Sequence, residues 1–386
     1  MLKIYGAGLN AHGQIDKRIK SDCHTFTQIW KEDLKTTSDA TVLFTGWSEI
    51  ARAFPHYLIH LNRSLIPVVV TKDTHLYLLG SSDTFLTSTS GIKAVFGDHN
   101  GILGYLDNEG RISLSRAPAS SHTKHLVEPE TSRRFSHITV ADNGHIAAVS
   151  RDDEAVIHEF TSMAAFKSYL EAPSKKVGSD YHDDALSGTD HVIHAIGHKI
   201  TQVVSNTASF CALDVNGGVY TWGDNRYGTL TRDGPSTSPQ PVSHLGDSSD
   251  DDEGSRVTKI VSGGWMTGAI RDDGVAFLWG GQMPGTEPRG GLSEGEGGYF
   301  EMTVEIEAPG GVLDVLDMAI GEDFVLVVCE GGRLFGIGQN GNGQLGEVRK
   351  KDYYEDWIEI MRQDVANVWA GPKTVYVRVN DESDQP

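Results

Sequence analysis

Three stretches of the chain share one pattern of apolar and polar positions. VTKIVSGGWMTGAIRDDGVAFLWG (257–280) runs through an apolar strand, two glycines, a short loop, a second apolar strand, an Asp-Gly turn and a third strand ending in Trp-Gly. ITQVVSNTASFCALDVNGGVYTWG (200–223) and VLDMAIGEDFVLVVCEGGRLFGIG (315–338) match it position for position over much of their length. Short apolar runs bounded by turn residues read as strands. The turns at 216–218, 272–274 and 330–332 sit where a two-residue hairpin needs positive φ, which glycine supplies.

Weaker copies follow the same template. GIKAVFGDHNGILGYLDNEGRISL (91–114) turns at Asn108-Glu109-Gly110, HITVADNGHIAAVSRDDEAVIHEF (137–160) turns at Asp152-Asp153, and 41–80 carries a further copy with an insertion. The last strands, DVANVWAGPKTVYVRVN (364–380), stop where a Trp-Gly strand should follow, and KIYGAG at the N-terminus supplies one. This makes seven units of about 55 residues in a 386-residue chain, one of them split between the two ends. The expectation is an all-β fold, a seven-bladed β-propeller forming a single domain over 1–386. Its repeats are clear in 200–346 and degenerate in 20–190, and the ring is closed by 1–15 with 365–380. Such a ring leaves only short, protected edges.

The third copy contains Gly336, Gly338 and Gly341 at the spacing GxGxxG, directly after an apolar run. A dinucleotide loop with this spacing needs a helix next, its N-terminus aimed at the pyrophosphate. Asn342-Gly343-Gln344-Leu345-Gly346 follows instead, and each glycine in a helix interior costs about 1 kcal/mol against alanine. The related stretches KIYGAGLNAHGQI (3–15) and VYTWGDNRYGTL (219–230) argue for a structural repeat, so no cofactor is expected.

Composition narrows the classes further. No apolar run approaches the roughly 18 residues needed to cross a membrane, so no membrane association is expected. Met1-Leu2-Lys3-Ile4-Tyr5-Gly6 lacks the apolar core of a signal peptide. Cys23, Cys211 and Cys329 form no CxxC pair, which points away from a disulfide framework or zinc ribbon and toward a cytoplasmic or nuclear setting. The formal charge is −20, from 33 Lys plus Arg against 53 Asp plus Glu, with one acidic run at 247–253. That balance disfavours direct nucleic-acid binding, which depends on neutralising phosphates with cations.

Candidate chemistry is sparse. His182, His191, His194 and His198 with Asp183 and Asp184 form the densest metal-capable group. Period-two alternation in a strand would split the histidines between faces, so no metal site is expected. FTSMAAFKSYLE (160–171) reads as a helix with Thr161 or Ser162 as N-cap. No GxSxG, HExxH or P-loop is present, and no catalytic residues are expected.

The repeat resembles the RCC1 repeat family, whose units run roughly GGxxHTxALTxxGxVYxWGxNxxGQLG and form a seven-bladed propeller. The resemblance is strong in 200–346 and implies that the loop after each first strand lines one face. Its first variable position falls on Trp47, Asp98, Asp142, Asn206, Trp265, Glu322 and Gly371. The family's His position falls on Glu49, Asn100, Gly144, Ala208, Thr267, Phe324 and Lys373, so that His is absent from every unit here. The partner-binding face implied comprises Trp47, Glu49, Asp98, Asn100, Asp142, Asn206, Trp265, Met266, Glu322 and Lys373.

The chain is also similar to the short fungal α-tubulin suppressor type. That similarity implies a noncatalytic interaction propeller, a regulatory subunit of a heterodimer in tRNA wobble-uridine modification and diphthamide synthesis. Its partner would be a small protein with a basic surface, such as a zinc-binding protein. The alternative is guanine-nucleotide exchange on a Ran-like small GTPase.

Overall fold

The computed structural model describes residues 2–32, 91–116, 131–172, 190–245, 254–281, 300–346 and 351–380 apart from 12–14, 17, 99–100 and 244, together with the strands Thr41–Val42, Val68–Val70, His75–Leu78, Phe85–Thr87, His125–Val127 and Ser293–Glu294. The fold is an all-β propeller, with one α-helix among the described residues.

Each clear repeat forms an antiparallel sheet whose first three strands follow chain order. The sheet of the 200–223 repeat is Ile200–Ser205, Ser209–Asp214, Val219–Gly223 and Ser236–Pro241. That of the 257–280 repeat is Val257–Gly263, Met266–Arg271 and Ala276–Gly280, extended by Phe300–Thr303 and Ser293–Glu294. Val315–Ile320, Phe324–Cys329, Arg333–Gln339 and Tyr353–Arg362 form the next. The degenerate repeats build the same unit from Ile92–Asp98 onward and from Phe135–Val140 to His191–Ala195.

The first and last strands share a sheet, as the split repeat predicts. Leu2–Gly8 lies between Cys23–Glu32 and Thr374–Asn380, with Val365–Ala370 outside the latter. Ile4 pairs with Arg378 and Tyr5 with Val377. The count of blades is 6 and not the seven expected. Where the seventh was placed, the described backbone is a sheet of strands two to four residues long, from Thr41–Val42 to Phe85–Thr87.

The hairpins also differ from expectation. Four residues separate Asp214 from Val219, where two were predicted. The Asp214 carboxylate accepts the backbone N–H groups of Asn216 and Gly218, both at 2.8 Å, and so holds a longer loop. Gly217, at φ 89°, supplies the left-handed step.

Burial explains the third-strand tryptophans. Trp222 and Trp279 are 0% and 2% exposed. Trp222 packs with Phe210 and with Ala147 and Ile157 of the preceding blade, so it cements two blades at once. The predicted helix spans Met163–Glu171, and Ser162 Oγ caps it by accepting the Ala165 N–H. Phe166, Tyr169 and Leu170 fasten it onto the blade of Phe135–Val140.

Candidate protein-interaction face

The first strand of each blade packs beside the first strand of the next, from Ile92–Asp98 through to Val365–Ala370. Their ends carry short loops, and backbone bonds tie these loops together around one face. Asn143 N–H donates to Thr207 O at 3.0 Å, Thr207 N–H to Gly264 O at 3.0 Å and Glu322 N–H to Pro372 O at 2.9 Å. Thr207 Oγ1 donates to the same Gly264 carbonyl at 2.6 Å. The loops pack closely because small residues allow it: a Cβ on Gly263 would lie 2.1 Å from Ile320 O.

These strands and loops enclose a cavity of about 900 Å³, with Asp98, Asp142, Asn206, Trp265 and Glu322 along its wall or mouth. The repeat alignment therefore brings this part of the predicted set together. Asp142 is exposed, and Asp98 and Glu322 are half-buried.

Other members of the set behave differently. Asn206 is 5% exposed, and its Oδ1 accepts Ala208 N–H, Ser209 N–H and Ser209 Oγ–H at 3.2, 2.9 and 2.8 Å, so this side chain braces its own loop. Met266 packs against the core shared by its blade and the next. Lys373 uses its carbonyl to accept Leu9 N–H and is half-buried beside the first strand. The family's His position turns inward, with Ala208, Thr267 and Phe324 buried at 8%, 2% and 0% exposure. Trp47, Glu49 and Asn100 lie outside the described residues.

Trp265 stands out as an aromatic left half-buried at the mouth. Tyr227, 49% exposed, meets its ring at 4.5 Å between centroids, and the Arg226 guanidinium lies 5.8 Å from the ring centre. Arg226 is itself paired with Asp224 at 2.7 Å. Exposed aromatic surface with a polar collar is the composition of a binding hot spot. Asp323, beside Glu322, holds φ 64°, and burial raises its carboxyl pKa against the opposing pull of Lys373.

Sequence reasoning missed Tyr227, Arg226 and Trp369. The first two occupy positions that in the sibling repeat are Asn342 and Gly341, so a bulky pair replacing small residues was the available signal. Trp369 stands in an inner strand where the parallel positions hold Val204, Val261 and Ala319, and it too lines the cavity.

Behind the inner strands a polar cluster is internally satisfied. Asp317, 2% exposed, accepts Met318 N–H at 2.8 Å on Oδ1, which Lys259 Nζ also contacts, and Asn367 Nδ2 and Val368 N–H at 3.1 Å each on Oδ2. Gln202, two blades earlier at the same repeat position, accepts Ile260 N–H at 2.8 Å. Of the histidine group, His191 Nε2 lies 3.0 Å from His158 Nδ1 and His194 Nε2 lies 2.8 Å from Glu159 Oε2, while His198 is exposed beyond the end of their strand. His182, Asp183 and Asp184 lie outside the described residues.

Comparison with known proteins agrees with the repeat reading. Residues 216–270 and 200–229 match models of the Regulator of chromosome condensation (RCC1) repeat. Human E3 ubiquitin-protein ligase HERC2 is 27% identical over 164 residues, 39% of this chain and 3% of that protein. Human Regulator of chromosome condensation is 27% identical over 154 residues, 40% of this chain and 34% of that protein. The matches thus span about a third or less of these relatives. The crystal structure of Prp20p from Saccharomyces cerevisiae aligns over 99% of this chain and 92% of its own, with TM-score 0.65 at 12% identity. Human WBSCR16 aligns over 98% and 100%, with TM-score 0.63 at 12% identity. At that identity the likeness speaks for the fold. Repeat matches and fold likeness together support an RCC1-like β-propeller.

Proposed function

We propose that this chain is a noncatalytic interaction propeller that docks a protein partner on the face carrying Trp265, Asp98, Asp142 and Glu322. One observation carries the reading: Trp265 is held half-buried at the mouth by Tyr227 and Arg226 instead of being packed in its blade as Trp222 and Trp279 are. Carboxylates around such an anchor steer a basic partner and make association salt-sensitive. No covalent chemistry is assigned to the face, and the protein acts in the cytoplasm or nucleus as one subunit of a heterodimer.

The finer reading is a regulatory subunit for a small zinc-binding protein in wobble-uridine modification and diphthamide synthesis, and it rests on architecture alone. The second reading is nucleotide exchange on a small GTPase. It draws on the Prp20p structure, whose description includes binding properties to Gsp1p and histones, and on a structure of Kap60 bound to yeast RCC1 (Prp20). An exchange factor needs no catalytic motif, only a surface that holds the nucleotide-free GTPase.

Affinity purification with quantitative mass spectrometry separates these readings. A small zinc protein enriched in equal amount with the chain supports the regulatory subunit. A GTPase whose capture rises on nucleotide removal supports exchange. Recovery of the same proteins with wild type and with Trp265→Ala at equal abundance contradicts docking on this face.

A further inference from the structure

We propose that the axial cavity receives a loop of the partner whose tip is an apolar side chain and whose flanks are basic. This rests on the docking reading of the same face and specifies what enters it. The cavity, at about 900 Å³, falls in the 300–1,000 Å³ range of ligand pockets and exceeds one side chain.

Part of its wall is apolar. Val204 and Val261 line it at equivalent repeat positions, with the Trp369 ring alongside. The hydroxyls among them are already spent inside the protein. Thr139 and Ser205 bond each other at 2.7 Å, Ser205 Oγ also donates to Val140 O at 2.9 Å, and Ser262 Oγ meets Thr267 Oγ1 at 3.0 Å. A group entering here finds little unmet polar demand, and burying an uncompensated charge in such a place is costly.

The mouth has the opposite character. Asp98, Asp142 and Glu322 stand around it in a chain of net charge −20. Two cations that line the cavity are partnered, Arg226 with Asp224 at 2.7 Å and Lys259 with Asp317. An occupant matched to both levels carries its apolar atoms inward and its positive charge at the rim. An acidic loop is repelled at the mouth, and a polar tip is desolvated inside without compensation.

The test is calorimetric titration of the full chain with short acetylated peptides: leucine between two lysines, the same with serine in place of leucine, and leucine between two glutamates. Saturable binding of the first, about tenfold or more tighter than the other two, is expected. Val261→Phe, which narrows the cavity, should remove the preference for leucine over serine while leaving the melting temperature within a few degrees. Val204→Phe serves the same purpose from the adjacent blade should the first variant unfold. Equal affinity for the leucine and serine peptides, no preference for lysine flanks, or no saturable binding overturns the inference. Partner capture by the wild-type chain alongside any of those results overturns loop insertion while leaving docking on the face intact.

Discussion

Asn340 Oδ1 accepts the backbone N–H of Leu345 at 3.1 Å. The same bond joins Asn225 to Leu230 at 2.9 Å and Asn10 to Ile15 at 2.9 Å. In each copy an asparagine folds the loop after a blade strand and drives an aliphatic residue inward, with Ile15, Leu230 and Leu345 at 6%, 0% and 0% exposure. This is what the recurring glycine, Asn and aliphatic pattern encodes. Asn340 is fully buried, so Asn340→Ala leaves the Leu345 amide without its acceptor and should cost about 1–3 kcal/mol. Urea unfolding of the variant measures it, and an unchanged midpoint contradicts the role.

Close packing holds Gly336 and Gly343 of GIGQNGNG, and Gly346 just after it, whereas Gly341 faces open space. A Cβ on Gly343 would fall 2.4 Å from His24 Cα, and one on Gly346 would fall 2.1 Å from the Phe26 ring. The chain turns after Gly341 and starts no helix. Calorimetry with NAD, NADP, ATP and GTP at millimolar concentration should show no heat of binding. Saturable binding lost on Gly338→Val in a folded protein would restore the dinucleotide reading.

Removing residues 1–8 takes out the strand that pairs with both Cys23–Glu32 and Thr374–Asn380, together with the fully buried Ile4 and Ala7. The melting temperature should fall by roughly 10 °C or more, or the chain should fail to fold. A midpoint equal to wild type would mean that the terminal sheet contributes nothing to stability.

Stability should decline in acid in two stages. Burial pushes the His158 imidazole down to about 3 from 6.5, helped by the neighbouring His191. The unfolded chain therefore takes up a proton that the native chain refuses, and stability falls as pH drops from 6.5 toward 3. Burial alone would raise the Glu159 carboxyl, but the donors His145, His194 and Trp222 hold it at about 2 against 4.5. A depressed carboxylate stabilises above its unfolded value, and this contribution is lost between about pH 4.5 and 2. Glu159→Gln should flatten the second stage and leave the first. Urea midpoints across pH measure both, and identical profiles would remove Glu159 as a cause.

The architecture was legible because strand, turn and Trp-Gly signals recur together, and each reports a local requirement: apolar alternation, positive φ, an interblade wedge. The rim was half legible. Alignment found the backbone position shared by Asp98, Asp142, Trp265 and Glu322, since repeats superpose backbones. It could not tell that Asn206 at that same position bends back to brace its loop, because that depends on the hydroxyl of Ser209 and two loop amides. Nor could spacing within one unit reveal Tyr227 against Trp265, a contact made between neighbouring blades. The strand Leu2–Gly8 was found by counting what the last repeat lacked.

The central claim is that the Trp265 rim holds a partner, and the most direct measurement is the affinity of the purified partner for Trp265→Ala combined with Glu322→Lys. Trp265 lies outside the buried cores, so the double variant should keep the wild-type melting temperature within a few degrees. Truncating such an anchor typically costs 2 kcal/mol or more, so binding should weaken by about thirtyfold or more, with a smaller salt dependence than wild type. A folded double variant that binds the partner with wild-type affinity and wild-type salt dependence would contradict the account.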